Sequence, residues 1–183
     1  MHKKYILMPL LLLAACGFEP LYVEKKHDNA WYFDGEFDTS ISQEMEKVKV
    51  EPISNRFGQL LRNNLIDLLS PKGQPKSPKY RLFVKLESKT ETNQALRSDI
   101  TATRKMIRYK VTYYMISDSG ERVLTGDSVS YSSYDILANP YSTTMAKKKG
   151  DEDAAMTIAN DISLRLGAYF HSIAVNREEM NDF

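Results

Sequence analysis

The sequence predicts an α+β two-layer sandwich: a mixed four-stranded sheet with two helices packed on one face, in the order β-α-β-β-β-α. Three observations predict it. Four segments alternate polar and apolar residues with the period of two expected of a half-buried strand, and two others repeat apolar residues at helical spacing. The first three elements read strand, helix, strand, and such a crossover favours a parallel pair. The short turns that follow favour antiparallel hairpins, and two helices on one face of the sheet close a single core. At 183 residues, 42% hydrophobic and 27% charged, the chain is large and apolar enough for one such core.

The elements justify themselves in order. Lys47-Val48-Lys49-Val50-Glu51 alternates as a strand, and Pro52 fits its end. Ser54 or Asn55 can cap the next element, in which Phe57, Leu61, Leu65 and Leu68 recur at helical spacing until Ser70-Pro71. A loop with Gly73, Pro75 and Pro78 follows. The second strand places Tyr80, Leu82, Val84 and Leu86 on one face and Arg81, Lys85 and Glu87 on the other. The third, near Arg104 to Ile116, carries Ile107, Tyr109, Val111, Tyr113 and Met115 on one face. Ser117-Asp118-Ser119-Gly120 signals a turn, so the fourth strand, Val123 to about Tyr134, pairs as a hairpin.

Asn139-Pro140 then breaks the chain. Ala155, Ile158, Ile162, Leu166 and Tyr169 or Phe170 form the apolar stripe of a closing helix. That helix either begins near Ser142 and bends at Gly150 or begins at Asp151, whose Asp151-Glu152-Asp153 run suits a helix N-terminus.

The segment before the first strand is of another kind. Met1 to Lys4 is basic, Tyr5 to Ala15 is apolar and too short to span a bilayer, and Leu13-Ala14-Ala15-Cys16 resembles a bacterial lipobox. Residues 1–15 are therefore expected to be a lipoprotein signal peptide, with Cys16 lipidated and several acyl chains giving stable anchoring. Gly17 after it suggests an outer-membrane destination. Residues 16–46 read as a lipidated N-terminus and an acidic, aromatic tether, with six carboxylates and no Lys or Arg between His27 and Glu46. Residues 47–173 are the expected α/β domain and 174–183 a flexible C-terminal tail.

Charge and chemistry narrow the function. Lys+Arg 25 against Asp+Glu 24 excludes a general polyanion binder, so any electrostatic role must be local. One cysteine excludes an intrachain disulfide, and with three histidines no Cys/His metal cluster is expected. No phosphate loop or nucleophile motif occurs, neither His27 nor His171 has a catalytic setting, and His171 suits the dipole at a helix end. The expectation is a protein that is not an enzyme and holds no cofactor. What stands out is basic clustering: Arg97, Arg104, Lys105, Arg108 and Lys110 against Asp99 alone, and Lys147-Lys148-Lys149 before the closing helix. Arg97 and Arg104 flank a polar hairpin tip, a placement suited to phosphate or carboxylate. An export signal disfavours nucleic acid and leaves anionic glycolipid as the available polyanion.

Several short stretches together resemble one family. They are Cys16-Gly17-Phe18-Glu19-Pro20-Leu21-Tyr22, Gly58-Gln59-Leu60-Leu61-Arg62-Asn63, the hairpin Arg97 to Arg104, Ser133-Tyr134 with Asn139-Pro140-Tyr141, and Arg165-Leu166 with Tyr169-Phe170. In this order they resemble the lipopolysaccharide-assembly lipoproteins, LptE, in their alphaproteobacterial form. The resemblance implies two helices on a four-stranded sheet and an outer-membrane lipoprotein on the periplasmic side. It also implies a 1:1 partnership with the LptD β-barrel, which the lipoprotein plugs and helps to assemble, and binding of lipopolysaccharide during its transport. By motif position the binding residues implied are Arg97 and Lys147, with Lys148 and Lys149 as substitutes for the latter, and Arg104 joins them as the other flank of the hairpin. The alternative is a structural envelope lipoprotein, a barrel-assembly or peptidoglycan-linked factor without lipopolysaccharide binding.

Overall fold

In the computed structural model of this chain, the described residues are 39–96 and 102–181. The elements run α1 (Thr39–Met45), β1 (Val48–Val50), α2 (Asn55–Leu69), β2 (Tyr80–Leu96), β3 (Ala102–Ser117), β4 (Arg122–Asp135) and α3 (Pro140–Asn181). The sheet has the order β1-β2-β3-β4, with β1 parallel to β2 and the other pairs antiparallel. The predicted β-α-β-β-β-α order and mixed sheet are therefore present. Both long helices lie on the face that carries Tyr109: Phe57 of α2 stacks on its ring at 4.4 Å, and Asp151 of α3 accepts a hydrogen bond from its hydroxyl.

Alternation along β3 explains the two layers. Ile107, Tyr109, Val111, Tyr113 and Met115 are buried beneath the helices, while Arg108, Lys110 and Tyr114 lie on the opposite, solvent-facing side. Burying a side chain of this size stabilises by about 1.5–3 kcal/mol relative to leaving it exposed, so this one strand anchors the core. From α3, Ile158, Ile162, Leu166 and Phe170 close over it, and Tyr169 is only partly covered. On α2 the buried stripe is Phe57, Leu61, Leu65 and Leu69 rather than Leu68, because a run of i+4 steps keeps to the sheet-facing side.

The start of α2 is set by Asn55. Its φ of 67° is a left-handed conformation that asparagine tolerates, and its Oδ1 accepts the Gly58 N–H at 2.9 Å, while Ser54 makes no side-chain cap bond. Gly58 is required by space: a Cβ there would stand 2.6 Å from Ile53 Cγ2 and 3.1 Å from the Ile53 carbonyl carbon.

The helices refine several expectations. Within the 16–46 tether, α1 occupies 39–45 and its Ile41 and Met45 pack on the core, ahead of the domain start expected at residue 47. Of the two starts expected for the closing helix, the one near Ser142 holds and the one at Asp151 does not, and the helix runs on through Gly150. It begins at Pro140, whose missing N–H costs nothing in a first turn, and Asn139 Oδ1 accepts the Tyr141 N–H at 2.9 Å. The same helix continues to Asn181, beyond the boundary expected at 173. His171 consequently sits inside α3, ten residues short of its last, so the helix-end reading of that residue does not hold. The signal peptide, Cys16 and the 16–38 part of the tether lie outside the described residues.

Candidate functional site

The candidate site is the end of the sandwich where β2 and β3 approach their connecting hairpin and β4 hands over to α3. Arg97 and the hairpin tip lie outside the described residues, so the site is built from what flanks them.

Arg104 is held across the strands. It pairs in register with Asp135 on β4, donating from Nε at 2.7 Å and from a terminal nitrogen at 3.4 Å, the fork that guanidinium offers a carboxylate. The Arg104 bond holds the Asp135 carboxyl below the usual carboxylate range. Both groups are exposed, so the pair orients Arg104 more than it stabilises the fold.

Lys147 points back to the sheet from the second turn of α3. Its Nζ donates to Glu91 Oε2 at 3.0 Å and lies 5.8 Å from the centre of the Tyr134 ring. Lys105, on the helix-facing side of β3, brings a second ammonium to the same carboxylate at 3.6 Å from Oε1. The Tyr134 hydroxyl donates to Oε1 as well. Glu91 is thus a hub for four elements, β2, β3, β4 and α3. The Tyr134 hydrogen bond, with the two lysines behind it, keeps its carboxyl below the ordinary range despite partial burial. Burial and the same bond push the Tyr134 phenol up to about 12.

A second carboxylate repeats the arrangement one helical turn deeper. Asp151 of α3 accepts Lys89 Nζ at 3.0 Å and the Tyr109 hydroxyl, and Lys89 sits 5.2 Å over the Tyr109 ring. Burial, then Asp151, drives the Tyr109 phenol above its ordinary value. The first half of α3 is therefore fastened to the distal part of β2 by ion pairs and phenols rather than by aliphatic packing.

The other two lysines differ from Lys147. Lys149 pairs with Asp153 at 2.8 Å along the helix, and Lys148 is exposed without an ion pair among the described residues. Lys148 follows Tyr141 and Met145 at helical spacing, and these two are 71% and 43% exposed; Leu137, just before the helix, is 50% exposed. Thus Arg104 and Lys147 come to the same end of the fold but to opposite faces of the sheet, Lys148 is exposed on α3, and Lys149 is spent locally. The residues to which the sequence assigns no part in a site are Glu91, Asp151 and Lys89, joined to their partners by sheet register and by the packing of α3 on the sheet.

No protein-family model matches this chain, and no curated protein sequence does. Solved structures do match in fold. A Caulobacter crescentus protein described as a lipoprotein superposes with a TM-score of 0.60 at 23% identity, covering 72% of this chain and 96% of that one. Rare lipoprotein B from Shewanella oneidensis gives 0.51 at 12% identity, covering 72% and 98%. A minor lipoprotein from Acinetobacter baumannii gives 0.50 at 18%, covering 66% and 90%. At these identities the likeness is one of fold.

Proposed function

We propose that this chain is an outer-membrane lipoprotein, anchored on the periplasmic side through acyl chains on Cys16, that has no enzymatic activity. Its role is to plug and support assembly of the LptD β-barrel as a 1:1 partner and to bind lipopolysaccharide on its way to the cell surface. The observation that carries this reading is the composition of one end of the domain: Arg104, Lys105 and Lys147 held within a few ångströms of carboxylates, beside exposed Leu137, Tyr141 and Met145. Phosphate with an attached acyl chain needs that combination of cations and apolar surface. Charge-assisted hydrogen bonds from these cations to lipid A or core phosphates would displace the divalent cations that hold the lipid in aggregates. The lipobox and the fold shared with proteins described as lipoproteins support the envelope setting.

One observation favours the second reading, a structural envelope lipoprotein: Arg104, Lys147 and Lys149 are already paired within the molecule. The two separate in one experiment. The full chain is extracted in mild detergent and its stoichiometric partner identified, and binding to lipopolysaccharide is then compared between wild type and Arg97→Glu with Lys147→Glu. A barrel partner, with lipopolysaccharide binding lost in the variant and the barrel complex retained, is the expected result. Unchanged binding refutes the site, and a different partner with no salt-sensitive binding favours the structural role.

A further inference from the structure

Glu91 occupies the position that an anionic ligand of this site would take. Two ammonium groups from different elements, Lys105 of β3 and Lys147 of α3, converge on its two oxygens at 3.6 and 3.0 Å. Among the described residues no second carboxylate pairs with either lysine, so two cations face one anion. A phosphomonoester carries about −1.5 to −2 charge at pH 7 and three strong acceptor oxygens, whereas a carboxylate or phosphodiester carries only one negative charge. The lysine pair therefore matches a phosphomonoester better than it matches the group it now holds. Glu91 is also able to yield: its side chain is partly open to solvent, and its remaining partner is the neutral Tyr134 hydroxyl.

We propose that Glu91 is an internal competitor for the anionic ligand, holding Lys105 and Lys147 in place until a phosphomonoester displaces it. This rests on the reading that the site binds a phosphorylated glycolipid. The exchange is one of partners only: Lys105 and Lys147 turn their donors from the carboxylate to phosphate oxygens, and no covalent bond changes. Glu91 then has two effects. It keeps the ammonium pair pre-organised, and it excludes singly charged anions, which gain too little to replace it.

The test is equilibrium binding of the full chain to lipopolysaccharide for wild type, Glu91→Gln and Glu87→Gln. Glu87 lies on the opposite sheet face beside Lys85 and Thr112, so its replacement changes net charge equally without touching the site. Glu91→Gln is expected to bind about three- to tenfold more tightly, the scale set by releasing two partly exposed ion pairs, while Glu87→Gln matches wild type. The gain disappears with lipopolysaccharide stripped of its phosphates. If wild type binds and Glu91→Gln binds equally or more weakly, the competitor role is overturned while the lipid-binding reading stands. If neither binds, both fall. Should Glu91→Gln fold poorly, wild type decides: lipopolysaccharide should slow acylation of Lys105 and Lys147 together and leave Lys85 unaffected, and absence of that joint protection overturns the proposal.

Discussion

Gly150 offers a sharp test of how α3 meets the sheet. It is buried in the interior of the helix, where glycine is about 1 kcal/mol less favourable than alanine, so something must require it. Among the described residues, the heavy atoms in the way of a Cβ belong to Ser132 of β4: Oγ at 2.5 Å, so that the hydroxyl must move, and Cβ at 3.6 Å, which is ordinary contact. Ser132 makes no hydrogen bond through its hydroxyl to a described residue, so its truncation alone should change little. Gly150→Ala alone should recover less than the propensity gain, because Ser132 must turn its hydroxyl away. Gly150→Ala with Ser132→Ala removes the obstacle and should stabilise by about 1 kcal/mol, raising Tm by about 3–5 °C for a domain of this size. Thermal melts of wild type, both single variants and the double variant form a closed cycle. If the double variant is no more stable than Ser132→Ala, the glycine is not kept by the serine and the close-approach account is wrong.

Three further outcomes follow from the core and the ion pairs. Gly58→Ala places a Cβ against the Ile53 backbone as well as its side chain, so overpacking should cost about 1–3 kcal/mol in denaturant unfolding; a neutral result would refute the tight fit at the start of α2. Leu65→Ala, at a fully buried position, should cost about 2–5 kcal/mol by the same measurement, and a loss below that range would mean the helix layer is loosely packed. The carboxyls of Glu91 and Asp135 lie below their ordinary values of 4.5 and 3.8, Glu91 through the Tyr134 hydroxyl first and Asp135 through Arg104. Their contribution is complete above those values and lost as pH falls through the lower folded ones, so Tm should drop on acidification below about pH 4.5 and the drop should be shallower in Glu91→Gln; a Tm that holds or rises there would refute it.

How much of this was legible varies with what each segment buries. β3 and β4 could be read to within two residues because β3 has apolar side chains at every second position over its whole packed length. The seven residues of α1 could not: they offer two apolar anchors, Ile41 and Met45, in a largely acidic and polar stretch, too few to establish a period. The unbroken course of α3 was hidden by Gly150, which in a sequence signals a bend and in the fold accommodates Ser132. Of the site, the cations were visible and their partners were not. Arg104 meets Asp135 only because β3 and β4 pair in that register, 31 residues apart.

The distal half of β2 shows most directly why the site escaped detection. Through Leu86 the even-numbered residues face the helices, and continuing that parity would turn Lys89 and Glu91 toward solvent on the far side of the sheet. The register shifts between Leu86 and Ser88, so that Lys89 falls opposite Tyr109 and Glu91 opposite Ile107, both on the helix-facing side. One extra residue in a strand reverses which face every later side chain occupies. Without the bulge, Asp151 and Lys147 of α3 would lie over the opposite parity of β2, and neither ion pair could form. Ser88 to Gln94 contains no apolar residue, so hydrophobic alternation could mark neither the strand nor its phase. A stretch for which the sequence offers no assignment supplies the carboxylate on which Lys105 and Lys147 converge, and the bulge that places it there precedes the site by only a few residues.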